Sequence, residues 1–580
     1  MLFTKQYFFR IVLMIWIIPV TFSCKNTDVI SGDQEATEQE IKPANDPETA
    51  KTMGLFLDTW MPKTFQTPAF IESDVPASAA VTVTVDASEV ITKIPLTSFG
   101  HNANTWMTPM ISEPVFMNHI NNLKPNIIRF PAGSGSDVYF WNARPGDLPA
   151  DAPIMLTDKD NIKKEPGYGF GKTNDNWRAS LDNYYDMLSQ SNSKGVLTVN
   201  YGYARYGTSS DPVATAAHLA ADWVRYDKGR TQYWEVGNEN YGDWEWGYRI
   251  DVSKNKDGQP EYLTGKLYAQ HFKVFADSMR KAAAEVGAKI SIGAVMYESV
   301  PESWQTNTVK TWNEGMLPEA GNRPDFYIVH NYFTPYEENS TAAVVLGAAI
   351  SQPSKMMNYV TQTITSNGAG LKPIAMTEWN MWAKSSKQQV SNVSGVFAAL
   401  VVGESIVNKY GLAARWDLLN FWAEGDDHGL FSDGNEPNVA KWTPRPSFYY
   451  LYFLQKNMGD RLVKSTVQAG NTAIKSYAST FSSGEASVAL INISASPQTA
   501  EVKFENLKKG DRFYWYNLEG SNDNGDFSRK VIINGSAPSG IAGGPLDYTN
   551  LKARSAFSKN GIRVTVPARG MVSVVVGKED

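Results

Sequence analysis

Eight short apolar runs, each followed by a segment with helical periodicity, constrain the fold of this chain most strongly. The runs are Leu96–Trp106, Asn126–Gly133, Gly195–Gly202, Gln232–Glu239, Lys289–Val295, Asp325–Tyr332, Lys372–Trp379 and Ala413–Asn420. Uninterrupted apolar runs of this length are typical of parallel strands that are buried on both faces. The clearest helical segments between them are Tyr262–Val286 and Val390–Lys409. We therefore predict an α/β fold, a (β/α)8 TIM barrel over residues 96–458.

Beyond the barrel the pattern changes to alternating apolar runs without helices between them. The runs are Ala473–Thr480, Ala486–Ile493, Glu501–Phe504, Arg512–Tyr516, Lys530–Ile533 and Arg563–Gly577. Turns rich in Gly, Ser and Asn separate them, which predicts a C-terminal β-sandwich over residues 459–580. Val81–Val85 alternates in the same way ahead of the barrel. We expect residues 79–95 to add a strand to that sandwich.

The N-terminus has the pattern of an export signal. Lys5 and Arg10 flank the apolar stretch Ile11–Phe22, which is short for a membrane span and typical of a signal peptide. Cys24, the single cysteine of the chain, follows directly and resembles a bacterial lipobox. We expect residues 1–24 to be a signal peptide with lipidation at Cys24; ordinary signal cleavage is the alternative. Both predict export, either as a cell-envelope lipoprotein held to the membrane by its lipid alone or as a secreted protein.

Residues 25–78 are expected to form a tether and N-terminal extension, because residues 25 to about 50 are too polar and acidic to build a core. One cysteine allows no disulfide within the chain, so stability must come from the core. A net charge of −6 gives no basic surface for nucleic acid. The six histidines form no close ligand pair, and no glycine-rich phosphate loop follows a strand, so neither a metal nor another cofactor is expected.

Two glutamates stand at the carboxyl ends of predicted strands. Glu239 closes strand four within Gly237-Asn238-Glu239-Asn240, and Glu378 closes strand seven within Thr377-Glu378-Trp379-Asn380. Such strand ends meet at one mouth of a barrel, where active sites lie. A pair of carboxyl groups is what acid/base hydrolysis of a glycosidic bond requires, and the acid of the pair needs a raised pKa. The 17 Trp and 27 Tyr agree mildly with carbohydrate, since sugar rings stack on aromatic faces.

These motifs carry a family resemblance. The segment Trp234–Glu239 resembles the Asn-Glu acid/base motif of glycoside hydrolase clan A. The segment Thr377–Asn380 is similar to the strand-seven nucleophile motif of that clan, close to the Glu-Trp-Asn of family 51 arabinofuranosidases. The resemblance spans roughly residues 80–578. It implies a retaining O-glycosyl hydrolase in which Glu239 is the acid/base, Glu378 is the nucleophile and Asn238 binds the sugar 2-hydroxyl.

Further residues at predicted strand ends are expected to bind substrate. The clan often places an arginine near Arg129 that keeps the nucleophile ionised; a structural ion pair is the alternative for this residue. It often places a His or Tyr against the nucleophile on strand six, where this chain has His330 and Tyr332. The remaining candidates at strand ends are His101, Asn102, Asn200 and Trp422.

The substrate stays open between two glycosidase hypotheses. Family 51 usually has a sugar-reading glutamate where this chain has Asn104, and its Arg-Trp-Pro-Gly-Gly-Asn segment is here Arg129–Ser134. The aromatic loops Tyr241–Trp246 and Ser136–Trp177 suit a longer cleft. The substrate is thus a plant or algal polysaccharide, cleaved by an arabinofuranosidase-like enzyme or by an endo-β-glycanase of the agarase or porphyranase kind. A non-catalytic, surface glycan-binding lipoprotein is the alternative, against which the retained glutamate pair argues.

Overall fold

The computed structural model describes residues 41–131, 133–336, 338–382, 388–521 and 527–579. The predicted signal peptide and Cys24 lie outside the described residues. Among the helices that are described, none is long and apolar enough to span a membrane.

Eight parallel strands close into a barrel, which confirms the predicted fold class. The strands are β1 (Gly100–Asn102), β2 (Ile127–Phe130), β3 (Lys194–Val199), β4 (Tyr233–Val236), β5 (Ser291–Val295), β6 (Phe326–Asn331), β7 (Ile374–Trp379) and β8 (Leu412–Arg415). Each overlaps one predicted run. Their side chains are almost all buried on both faces, which explains why the runs read as continuous apolar segments.

A helix follows every strand. The helices are α1 (Pro114–Leu123), α2 (Leu181–Ser191), α3 (Pro212–Asp227), α4 (Gly265–Glu285), α5 (Asn307–Ala320), α6 (Ala342–Ser366), α7 (Asn392–Val407) and α8 (Pro446–Asn457). Polar caps fix several starts: Ser180 and Asn183 form a capping box at α2, and the Thr264 hydroxyl accepts a backbone N–H at the start of α4. Such caps satisfy the otherwise free donors of a first turn.

Strand β4 is shorter than predicted. It ends at Val236, and Glu239 lies three residues beyond it in a tight turn. Gly237 has a φ of +79° and Glu239 a φ of +42°, a region that extended strands do not use. A Cβ at position 237 would lie 2.0 Å from the side-chain oxygen of Asn240, so this turn requires glycine.

The connection between β2 and α2 carries an insertion, residues 139–170, with two small sheets. Tyr139–Phe140 pairs with Gly169–Phe170, and Leu156–Thr157 pairs with Lys163–Lys164. Two ion pairs join the insertion to the loop after β4: Lys159–Asp243 at 3.1 Å and Lys163–Asp251 at 2.6 Å. The insertion therefore borders the carboxyl-terminal mouth of the barrel.

The C-terminal region forms a largely antiparallel β-sandwich around its own apolar core, as predicted. Its strands are Arg461–Val467, Ile474–Thr480, Ala486–Asn492, Gln498–Glu505, Lys509–Gly520, Val531–Ile533, Ala553–Phe557, Ile562–Val566 and Gly570–Lys578. The strand Val81–Lys93, ahead of the barrel, lies between Arg461–Val467 and Gln498–Glu505 in this sheet. The single predicted run Arg563–Gly577 is two strands, divided by a turn.

The N-terminal extension, predicted together with a tether over residues 25–78, contacts both the barrel and the sandwich. Phe56 lies in the 3₁₀ turn Gly54–Leu57, and its ring centroid is 5.0 Å from that of Tyr233 and 5.4 Å from that of Phe326. These are the first residues of β4 and β6, so Phe56 closes the amino-terminal end of the barrel. Further along, Phe70–Glu72 pairs with Ala553–Phe557. The sequence did not predict either contact, because the apolar residues that make them are few and lie within a polar stretch.

Candidate active site

Arg129 is the centre of the hydrogen-bond network at the mouth. Its Nε donates to Glu235 at 2.6 Å, Nη1 to Asn102 at 3.0 Å and to Glu378 at 3.2 Å, and Nη2 to Asn238 at 2.8 Å. Its partners come from β1, β4, β7 and the turn after β4. The structure thus brings three predicted site residues, Asn102, Asn238 and Glu378, onto the guanidinium of a fourth and adds Glu235.

Glu378 in β7 is held by donors from two other parts of the barrel, the residue directly after β6 and strand β2. The Tyr332 hydroxyl donates to its Oε1 at 2.6 Å, and Arg129 donates to its Oε2. Strand register explains part of this arrangement, because His330 on β6 is the direct partner of Glu378 on β7. Both predicted residues of strand six therefore face the predicted nucleophile.

Glu239 is held at both of its carboxylate oxygens. His330 Nδ1 lies 3.0 Å from Oε1, and the indole N–H of Trp244 donates to Oε2 at 3.0 Å. The other ring nitrogen of His330 contacts the Thr377 hydroxyl at 3.0 Å, which fixes the imidazole. The Glu239 side chain is 16% exposed, so the mouth reaches this carboxylate.

The two carboxyl groups are close enough for retaining chemistry. One oxygen of Glu239, one oxygen of Glu378 and one ring nitrogen of His330 all lie within 4.8 Å of one another. Retaining glycosidases hold their carboxyl groups about 5–5.5 Å apart and inverting ones about 6.5–9.5 Å. The 4.8 Å limit on the distance between the two oxygens lies below the inverting range.

The two carboxyl groups differ in proton affinity. Burial raises the pKa of Glu378, and the negative charge of Glu239 adds to this effect beyond what His330 and Arg129 offset. Burial also opposes ionisation of Glu239, but His330 and the hydrogen bond from Trp244 bring its pKa below the ordinary value. This order differs from the expectation that the acid Glu239 has the raised pKa.

Three more buried carboxyl groups surround the pair. Burial raises the pKa of Asp137 and of Glu298 to about 7 and raises that of Glu245 well above its ordinary value. Asp137 accepts from the Asn240 amide at 2.7 Å and Glu245 from the Asn238 amide at 3.0 Å. These carboxyl groups orient the turn that carries Glu239.

The other predicted residues have separate fates. Asn102 joins the network, where its amide donates to the backbone carbonyl of Thr377 at 2.9 Å. The Asn200 amide donates to the backbone carbonyl of Tyr139, in the insertion, and to the hydroxyl of Tyr206, in the segment after β3. Neither contact is to Arg129 or to the two carboxylates, and substrate binding by Asn200 stays a prediction.

His101 and Trp422 also lie outside the carboxylate network. His101 is buried, and burial together with the charge of Arg415 lowers its pKa to about 3, so it is a neutral core residue. The Trp422 ring lies under the guanidinium of Arg445 at 5.6 Å, in the loop after β8. The tryptophan that directly follows β8 is Trp416, whose ring packs edge-to-face against Trp106 at 6.2 Å.

Sequence reasoning missed Glu235 as part of this network. The signal for Glu235 was present, because a charge inside a buried apolar strand requires a partner. Asn104, at the position of the family's sugar-reading glutamate, is fully buried. Its amide donates to Asp417 at 2.6 Å and to the carbonyl of Leu419 at 2.8 Å, so it serves the loop after β8.

Among the described residues, one group has the spacing of metal ligands, namely Glu239, His330 and Glu378. Arg129 already places a positive charge 3.2 Å from Glu378, and each carboxylate has two hydrogen-bond contacts. The arrangement is that of a carboxylate pair stabilised by donors. That the site works without a metal stays a prediction.

No protein-family model and no curated protein matches the sequence. Solved structures do match. The chain resembles the family 51 α-L-arabinofuranosidase of Thermotoga petrophila RKU-1 with a TM-score of 0.57 and 16% identity, over 86% of this chain and all of that one. It resembles the family 44 xyloglucanase of Paenibacillus polymyxa with a TM-score of 0.54 and 12% identity, over 86% of this chain and all of that one.

A third similar structure is CelM2, a bifunctional glucanase-xylanase from a metagenome library, with a TM-score of 0.54 and 14% identity. It is matched over its whole length by 89% of this chain. At these identities the likeness concerns the fold. All three neighbours are glycoside hydrolases by their names, and the resemblance to clan A, including family 51, is confirmed at the level of a barrel followed by a sandwich.

Proposed function

We propose that this protein is a retaining glycoside hydrolase in which Glu378 is the nucleophile and Glu239 the acid/base. The observation that carries the proposal is the carboxylate pair within 4.8 Å, set at the mouth of a barrel and held by Arg129, Tyr332 and His330. Similarity to solved glycoside hydrolases supports it at the level of the fold.

In the first step a Glu378 oxygen attacks the anomeric carbon, and the bond to the leaving oxygen breaks as Glu239 gives that oxygen its proton. The product is a glycosyl ester on Glu378. In the second step Glu239 takes a proton from water, and the resulting hydroxide attacks the anomeric carbon and frees Glu378. Two inversions at this carbon give net retention.

The reaction needs the proton on Glu239, whereas in the free site the pKa of Glu239 is lowered and that of Glu378 is raised. Substrate binding must therefore raise the proton affinity of Glu239 relative to that of Glu378. His330 Nδ1 lies 3.0 Å from Glu239 and 3.8 Å from Glu378, so one imidazole lies close to both carboxyl groups. We place Asn238 at the sugar 2-hydroxyl, held by Arg129 on one side and Glu245 on the other.

For the substrate we favour endo-cleavage of a plant or algal polysaccharide over removal of single arabinofuranosyl groups. Asn104 offers no carboxylate and is bonded to the loop after β8. Large aromatic side chains on five of the loops after the strands are more than half exposed, as expected for a long glycan-binding cleft. They are Trp177, Trp244, Trp304, Tyr336 and Phe421.

A panel of aryl glycosides and polysaccharides tests the function. We expect oligosaccharide ladders from at least one of arabinan, xylan, xyloglucan, agar or porphyran, with the first-formed product in the anomeric configuration of the substrate by proton NMR. Release of arabinose alone would support the exo alternative. An inverted first product would contradict the assigned roles, and glycan binding without cleavage would favour the non-catalytic alternative.

Export and lipidation at Cys24 are also part of the proposal. They rest on the sequence pattern of residues 1–24. Labelling of cells with an alkyne fatty acid is expected to mark the wild-type protein and not the Cys24→Ser variant. Equal labelling of both would contradict lipidation at this cysteine.

A further inference from the structure

We propose that Trp244 has two tasks at this site: its indole N–H orients Glu239, and its open ring face binds the sugar on the leaving side of the bond. Trp244 would then make the enzyme depend on a sugar, and hence a glycan chain, as leaving group. This inference deepens the proposed function and rests on it.

The first observation is an unusual combination of contact and exposure. The indole N–H donates to Glu239 Oε2 at 3.0 Å, yet the residue is 54% exposed. A tryptophan that serves packing buries most of its surface. Here the polar edge is fixed on a catalytic carboxylate while half of the surface is left to solvent at the mouth.

The second observation is that the ring position is fixed. A Cβ on Gly242 would lie 2.4 Å from the indole, so the backbone there lies directly against the ring. Tyr241, which is buried, packs edge-to-face with the same indole at 6.2 Å. The intervening Asp243 pairs with Lys159 of the insertion. A ring held in this way binds without a large loss of conformational entropy.

The two oxygens of Glu239 indicate which sugar the ring meets. His330 contacts Oε1 and lies 3.8 Å from Glu378, so Oε1 is on the side of the nucleophile. Trp244 contacts Oε2. The acid must stand beside the bridging oxygen, with the nucleophile under the sugar that is transferred. A ring bonded to the other oxygen of the acid therefore faces the leaving sugar.

Two substitutions separate the two tasks. Trp244→Phe keeps a ring and removes the N–H, whereas Trp244→Ala removes both. Because the hydrogen bond from Trp244 lowers the pKa of Glu239, we expect Trp244→Phe to move the alkaline limb of kcat, which reports the acid in the enzyme–substrate complex, to higher pH. Its KM for polysaccharide should stay within about twofold, since a ring remains to stack on the sugar.

For Trp244→Ala we expect KM for the polysaccharide that wild type cleaves to rise about tenfold or more, as for loss of an aromatic anchor. On the 2,4-dinitrophenyl glycoside of the same sugar, kcat/KM should fall by less than about threefold, because that leaving group needs neither a proton nor a sugar site. Trp60→Phe and Trp60→Ala are matched controls: Trp60 lies in the N-terminal extension, where its indole N–H donates to the backbone carbonyl of Asp460 at 3.0 Å, and neither variant should move the alkaline limb.

Each task can fail separately. An unmoved alkaline limb in Trp244→Phe would overturn the positioning task. Equal losses on polysaccharide and dinitrophenyl glycoside in Trp244→Ala would overturn the leaving-side task and indicate a structural role. A wild-type protein that cleaves no glycan would instead overturn the proposed function, and this inference with it.

Discussion

The two ends of the barrel use the same eight strands for opposite purposes. At the carboxyl-terminal mouth, Arg129 and several carboxyl groups are buried at an electrostatic cost that hydrogen bonds only partly offset. At the amino-terminal end, Phe56 packs on Tyr233 and Phe326 with no charge between them. The candidate site thus lies at one end of the barrel axis and a purely apolar contact that stabilises the fold lies at the other, as is general for this fold.

Loss of the nucleophile should have the largest effect and should spare the other end. We expect Glu378→Ala to reduce kcat by about 10⁴-fold or more, as for other catalytic nucleophiles. Glu378→Gln, which keeps the shape of the side chain, is the matched control for folding. Added azide should restore part of the turnover of Glu378→Ala on an activated aryl glycoside. More than a tenth of wild-type activity without azide would contradict the assignment.

The apolar end should show the reverse behaviour. Phe56 is fully buried, so Phe56→Ala is expected to lower the free energy of unfolding by about 3–5 kcal/mol. The kcat measured well below the melting temperature should stay near that of wild type. Met61→Ala, at an exposed position of the same extension, is the control. A fall in kcat without a fall in Tm would break the proposed division.

At the mouth of the barrel, the buried Glu298 carboxyl group should make the free energy of unfolding depend on pH. Burial raises its pKa from 4.5 to about 7. Between these values the folded protein binds more protons than the unfolded chain, so this carboxyl group makes stability fall as pH rises through the window. Glu298→Gln cannot ionise and should gain up to about 3 kcal/mol over wild type at pH 8 and little at pH 4. Urea unfolding at both pH values measures this, and an equal difference at both would contradict it.

The smallest effect is expected where the extension meets the sandwich. Asp46 pairs with Arg461 at 2.6 Å and Lys93 at 3.2 Å, all three partly exposed. Asp46→Asn should cost less than about 1 kcal/mol, and the loss should shrink in 1 M NaCl because salt screens such pairs. A larger loss that salt leaves unchanged would show that the extension depends on Asp46 for more than charge.

The sequence predicted the barrel because its strands are buried on both faces, so each strand appears in the sequence as a short apolar run. It also predicted the glutamate pair, since each member follows or ends such a run. The end of β4 was beyond its reach, because Glu239 adopts a left-handed turn that no propensity indicates.

Side-chain direction after a strand was the other limit. Asn200 and His101 stand at strand ends as Asn102 does, yet Asn102 alone of the three reaches Arg129. A one-residue change of phase turns a side chain from the barrel interior to the surrounding layer. The predicted run Ala413–Asn420 extends past Arg415, where β8 ends. Trp416 therefore follows the strand directly, and Trp422 lies further along the loop.

The contacts of Arg129 also bear on how the chain finds its fold. A guanidinium buried without partners costs several kcal/mol, and its partners here come from β1, β4 and β7 as well as the turn after β4. A barrel that closed with any of these strands out of register would leave that charge unpaired. The contacts of Arg129 thereby penalise misaligned barrels during folding and favour the arrangement in which the candidate site is complete.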